Sequence, residues 1–175
     1  MTRKILAFAA SNSSTSINRQ LVNYAASLIE DAQIETLDIH DFEMPLYRSD
    51  REEADGIPQL AHDFLARVAA VDALLISIAE HNGAYSAAFK NLFDWCSRIG
   101  REVWQGKPMV LLSASPGGGG GARALAIAAS AAPHFGGEVV GTLAVPSFFE
   151  AFDVEAGCLK DEALIAELKA LVGKL

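Results

Sequence analysis

Short apolar runs alternate along the chain with stretches whose apolar positions recur at helical spacing. The runs at 4–9, 35–39, 73–79, 108–114 and 138–145 have strand length. Between the first two, Leu21, Val22, Ala25, Leu28 and Ile29 fall on one helical face, with Thr15 or Ser16 available as the cap. The same periodicity predicts helices over 57–70, 86–98, 122–133 and 161–173, the last turning Leu164, Ile165, Leu168 and Leu171 inward. Five strands separated by helices imply right-handed βαβ crossovers, and so an α/β chain with a doubly wound parallel sheet of order 2-1-3-4-5. Such sheets bind ligands beyond the carboxyl ends of their strands, which directs attention to the loops after the first, third and fourth strands.

Composition narrows the classes without changing that outline. The 175 residues suit one domain over 1–175. Apolar stretches fall well short of the roughly 20 residues a spanning helix needs. The amino end carries Arg3 and Lys4 without the apolar core of a signal peptide, so a cytoplasmic protein is expected. Cys96 and Cys158 lie far apart with no CxxC spacing, which favours buried thiols over a disulfide or thiolate site. The formal charge of −8 makes nucleic acid a poor partner, because phosphate binding needs clustered Lys and Arg. His40, His62, His81 and His134 stand without HExxH or similar spacing, so no metal site is expected. Neither a GxSxG elbow nor a phosphate loop occurs, which removes hydrolase and NTPase readings.

The first loop, Ser11-Asn12-Ser13-Ser14-Thr15-Ser16, leads with its hydroxyls into a helix N-terminus. Unpaired N–H groups and the helix dipole there suit a phosphate, although a capped, solvated turn has the same composition. After the third strand, Asn82-Gly83 marks a sharp turn and Tyr85 offers a flat surface that could border a planar ring; a plain connection capped by Ser86 reads equally well. The third loop runs from Ser115-Pro116 through five consecutive glycines, Gly117 to Gly121, between a strand end and a helix. Glycine there permits close approach to a ligand, or a flexible lid. The spacing Gly117, Gly119, Ala122 satisfies a dinucleotide fingerprint only by chance, since the fingerprint belongs after the first strand.

Together these loops resemble the NADPH-dependent FMN reductase family, flavodoxin-like flavoproteins that include quinone, chromate and azo reductases. The family's first loop, G-S-x-R-x-x-S-x-N, keeps Ser11, Ser16 and Asn18 here, while Ala10 and Ser13 stand where the family has Gly and Arg. Its second, P-E-Y-N-G-S followed by L-K-N-x-x-D-W, matches Glu80, Asn82, Gly83, Lys90, Asn91, Asp94 and Trp95, with His81 in place of Tyr. Its third, S-x-S-P-G-G-x-G-G, matches Ser113 to Gly121, and its L-P-L-Y segment resembles Met44-Pro45-Leu46-Tyr47.

The resemblance implies a flavodoxin-like three-layer α/β/α sandwich holding FMN. Ser11, Ser13, Ser16, Ile17 and Asn18 would hold the phosphate. Glu80, His81, Asn82 and Gly83, with Ser115, Pro116, Gly117 and Gly118, would border the isoalloxazine. No acid or base side chain is obligatory. Hydride would pass from NADPH or NADH to the flavin in a ping-pong cycle that then serves a flavin, quinone or other small acceptor; a flavodoxin-type electron carrier is the rival. A homodimer or homotetramer is implied too, and Phe148, Phe149 and Phe152 in 146–157 are the apolar surface it would bury, unless they simply extend the core.

Overall fold

A computed structural model describes residues 2–175. β1 (Arg3–Ala10), β2 (Ala32–Asp38), β3 (Ala73–Ile78), β6 (Pro108–Ala114) and β7 (Glu138–Val145) form one parallel sheet of order β2-β1-β3-β6-β7, the order expected from the sequence. The three inner strands are buried on both faces, which is why their sequences read as continuous apolar runs: every residue of β3 is buried. The edge strands β2 and β7 are partly exposed and correspondingly less apolar.

Because successive side chains of a strand point to opposite faces, β1 feeds two cores. Leu6, Phe8 and Ala10 pack under α3 (Gln59–Ala69), α4 (Ala87–Ile99) and α5 (Ala122–Ala131), with Phe64 and Trp95 at the centre. Ile5, Ala7 and Ala9 pack under α1 (Ile17–Ser27) and α7 (Glu162–Val172), with Leu21 and Leu168. Register aligns the strand ends: Ala10 lies beside Ile78, Ile78 beside Ser113, and Ala114 beside Val145. The loops leaving β1, β3 and β6 therefore emerge at one edge.

Several elements were not expected. Residues 39–42 form a 3-10 turn, and α2 (Ser49–Asp55) buries no residue, so it carries no periodicity to detect. Residues 80–85 form a hairpin of β4 (Glu80–His81) and β5 (Ala84–Tyr85). Beyond β7, α6 (Phe148–Ala151) leads into a ribbon of β8 (Phe152–Asp153) and β9 (Cys158–Leu159). This segment corrects the expectation that Phe148 and Phe152 belong to an apolar surface, while Phe149 and Val154 remain exposed. Phe148 and Phe152 are buried in the core beneath α1 and α7 and stack on each other at 4.7 Å. Among the described residues no helix is long and apolar enough to cross a membrane.

Candidate active site

The first loop is built from its own hydroxyls. Ser16, not Thr15, caps α1, its Oγ accepting from Arg19 N at 3.2 Å. Ser11 Oγ accepts from Ser13 N, and Ser13 Oγ accepts from Thr15 N, each at 3.3 Å. Among the described residues, the N–H groups of Asn12, Ser14, Ile17 and Asn18 donate to nothing in the chain. Unspent donors at a helix start, with the positive end of the dipole behind them, favour an anion. Arg19 does not replace the arginine absent at position 13, because its guanidinium is held by Asp38 at 2.7 Å.

Asn18 has another task. It is buried, its Oδ1 accepts from Ser77 Oγ at 2.8 Å and Ala114 N at 2.9 Å, and its Nδ2 donates to Ala114 O at 3.2 Å. The side chain thus ties the first loop to β3 and to the end of β6, and what it offers a ligand is its main-chain N–H.

In the hairpin, Asn82 and Gly83 both take positive φ, 54° and 79°, the pairing that two-residue hairpin turns demand and Asn-Gly supplies at least strain. Ser86 caps α4 by accepting from Phe89 N and donates to Ala10 O at 2.8 Å, joining the hairpin to the end of β1. Glu80 reaches the other way: its Oε2 accepts from Arg123 N and Ala124 N, both at 3.0 Å, at the start of α5. A carboxylate at a helix N-terminus satisfies two orphan donors and meets the favourable end of the dipole. Each pair of the three loops is therefore joined by one side chain: Asn18, Ser86 or Glu80.

The glycine loop is folded as a hydrogen-bonded turn. Ser113 Oγ donates to Gly120 O at 2.7 Å, Gly120 N to Gly117 O, Ser147 N to Gly117 O, and Ser115 Oγ to the same carbonyl at 3.1 Å. Gly120 is required: with φ +61°, a Cβ there would lie 2.9 Å from Pro146 N. Gly117, Gly118 and Gly119 differ, since a Cβ on any of them would meet nothing within 4 Å. Their N–H groups donate to nothing among the described residues. They form an open backbone edge facing outward beside Pro116, with Ser115 half-buried behind it.

His81 and Asn82 are exposed at the hairpin tip. Tyr85 turns away from it, packing edge-on against Phe89 at 5.4 Å, and burial raises the pKa of its hydroxyl. It lines an apolar groove of about 240 Å³ between α4 and α5, floored by Ile76, Met109 and Leu111.

Sequence motifs missed the purpose of α4. Asn91 Nδ2 donates to Met44 O at 3.0 Å, its Oδ1 accepts from Tyr47 N at 2.8 Å, and Trp95 Nε1 donates to Pro45 O at 2.7 Å. These side chains fasten residues 44–47, a segment without regular structure, to the helix. Lys90 and Asp94 pair with each other one turn apart at 2.6 Å. The two motifs are one scaffold, and their spacing alone gave no sign of it.

The model of the NADPH-dependent FMN reductase family matches residues 3–150. A 2-hydroxy-1,4-benzoquinone reductase from a Burkholderia species is 36% identical over 119 residues, 67% of this chain and 63% of that one. An NAD(P)H-dependent FMN reductase of Pseudomonas aeruginosa is 34% identical over 122 residues, 69% of this chain and 64% of that one. The matched stretches thus span less than two thirds of either relative. Among solved structures, FerB of Paracoccus denitrificans, a flavoenzyme NAD(P)H:(acceptor) oxidoreductase, superimposes with a TM-score of 0.76 at 28% identity over 98% of this chain and 94% of that one.

Proposed function

The chain belongs to the NADPH-dependent FMN reductase family, and from that premise we propose that it binds FMN at the carboxyl edge of its sheet, oxidises NADPH or NADH, and reduces a quinone, flavin or other small acceptor. One observation carries the reading: three loops, two of them with unspent main-chain donors, are fastened to one another at the ligand-binding edge of a doubly wound sheet.

The residues present fit FMN. A phosphate needs several donors converging at a positive potential, and Asn12, Ser14, Ile17 and Asn18 offer theirs beside the hydroxyls of Ser11, Ser13 and Ser16. A flat ring needs a backbone edge without side chains, which Gly117 and Gly118 provide next to Pro116 and Ser115. The main chain of Glu80, His81, Asn82 and Gly83 forms the opposite border, since the carboxylate of Glu80 is already engaged at α5.

FMN held by these loops would supply the redox chemistry between the reduced nicotinamide and the acceptor. The chain's part is to hold and orient. N–H groups fixed before the ligand arrives stabilise negative charge on the ring without reorganising, and no side chain has to move a proton. We further propose a homodimer or homotetramer. The Phe148–Phe152 pair no longer supports it, but the apolar groove between α4 and α5, bordered by the half-exposed Ile127, does. Two free thiols suit the reducing cytoplasm.

The test is the visible spectrum of the purified protein, loaded with FMN, gel-filtered and treated anaerobically with NADPH. Retained flavin that bleaches within seconds, the timescale of ordinary turnover, supports the reductase. Retained flavin left oxidised by both nucleotides points instead to an electron carrier, and no retained flavin contradicts the cofactor assignment.

A further inference from the structure

The arginines of this acidic chain are almost all spoken for. Four pair with carboxylates and three donate to main-chain carbonyls. Arg123 is the remaining one. Its guanidinium is exposed and, among the described residues, bonds to nothing.

Its position gives that freedom a meaning. Arg123 is the second residue of α5, immediately after the glycine loop, and its main-chain N–H is anchored on Glu80 at 3.0 Å. The side chain lies along the hairpin turn: a Cβ on Gly83 would come 3.6 Å from its Cδ and 3.9 Å from its Nη1. The guanidinium therefore stands where the hairpin and the glycine loop meet, the two segments given above to the flavin ring. The nearest anchored carboxylate, Glu80, spends Oε2 on the helix backbone and forms no ion pair with it. A formal charge of −8 repels anions at long range, so an anionic substrate entering here depends on a local cation. The planar fork of an arginine suits a phosphate or enolate oxygen better than a lysine does.

We propose that Arg123 recognises an anionic oxygen of the co-substrate at the mouth of the flavin site, either the ribose 2′-phosphate of NADPH or the ionised ring oxygen of a hydroxyquinone. The proposal rests on the reductase reading. Arg123 thereby favours the co-substrate that carries the additional anionic group, NADPH over NADH or a hydroxyquinone over a neutral quinone.

The experiment compares FMN-loaded wild type with Arg123→Gln and Arg123→Lys. Steady-state kinetics are run with NADPH and NADH, and with 2-hydroxy-1,4-benzoquinone and neutral 1,4-benzoquinone as acceptors. Direct titration with 2′,5′-ADP and with 5′-AMP, together with light scattering, completes the set. Loss of one charge-assisted contact at an exposed site lowers the preference of kcat/KM, for NADPH over NADH or for the hydroxyquinone over benzoquinone, by about tenfold in Arg123→Gln. Arg123→Lys recovers part of it, and FMN affinity and melting temperature stay at the wild-type values. A drop confined to NADPH over NADH, with weaker 2′,5′-ADP binding, assigns the contact to the ribose phosphate. A drop confined to the hydroxyquinone assigns it to the acceptor. Unchanged preferences in an active enzyme, or a change of mass with unchanged preferences, overturn the inference alone. Wild type that oxidises neither nucleotide overturns the reductase reading and this inference with it.

Discussion

Asn18 Oδ1 accepts the Ser77 hydroxyl at 2.8 Å, and both residues are buried. One amide therefore decides where the first loop stands relative to β3, and its other bonds fix the end of β6. In Asn18→Leu the Ser77 hydroxyl and the Ala114 N–H and C=O lose their partner in a dry environment. A buried polar group without a partner costs about 1–3 kcal/mol, so urea unfolding should report a loss of about 2–4 kcal/mol. FMN affinity should fall with it, because the first and third loops are no longer held together.

Gly118→Ala and Gly120→Ala should separate binding from folding. At position 120 the backbone of Val145 and Pro146 blocks a Cβ and φ is +61°, so the substitution should destabilise the fold by about 2–4 kcal/mol. At position 118 a Cβ meets nothing, and thermal stability should stay within about 0.5 kcal/mol. Its methyl group would stand on the edge offered to the ring, weakening FMN roughly fivefold in a fluorescence titration. Equal effects of the two substitutions on stability would contradict this division.

Ser13→Arg should restore the charged phosphate contact the family carries. Ser13 is exposed and Arg19 is occupied by Asp38, so nothing in the chain already fills that role. A charge-assisted bond to phosphate contributes about 1.5–3 kcal/mol, and FMN should bind about tenfold more tightly at low salt. The gain should shrink as ionic strength rises.

Cys96 should make the fold alkali-sensitive. Burial pushes its thiol from 9.0 up to about 12. The folded value lies above the unfolded one, so the stability it contributes is complete below about pH 9 and is lost as pH rises toward about 12, at up to about 1.4 kcal/mol per pH unit. Burial raises the Tyr85 hydroxyl in the same sense. Urea unfolding between about pH 8 and about pH 10 should show the decline, and Cys96→Ala should flatten it. A thiol reagent should modify Cys158 in the native protein and Cys96 only after unfolding.

The sheet was legible because its signals are local. β6 and β7 begin and end where the sequence predicts, β6 opening on Pro108 and β7 preceded by Gly137. Asn82-Gly83 marked the turn at 82–83 but not the hairpin around it, because two-residue strands have no alternation to read. The links among the loops were hidden for another reason. Glu80 caps a helix that begins 42 residues later, and Asn91 holds main chain 47 residues earlier, and acceptance by or donation to a backbone atom leaves no mark in the sequence of the partner. Phe148 and Phe152 misled because composition counts apolar residues without saying which way a short helix turns them.

The bonds that hold Gly117 and Gly120 in place also set a tempo. A loop whose carbonyls are already engaged by Ser113, Ser115 and Ser147 has surrendered its conformational freedom before any ligand arrives. Capture then proceeds at the pace of encounter, without waiting for a segment to fold around the guest. Differences in affinity among variants of this edge accordingly appear in how long the complex lasts rather than in how quickly it forms.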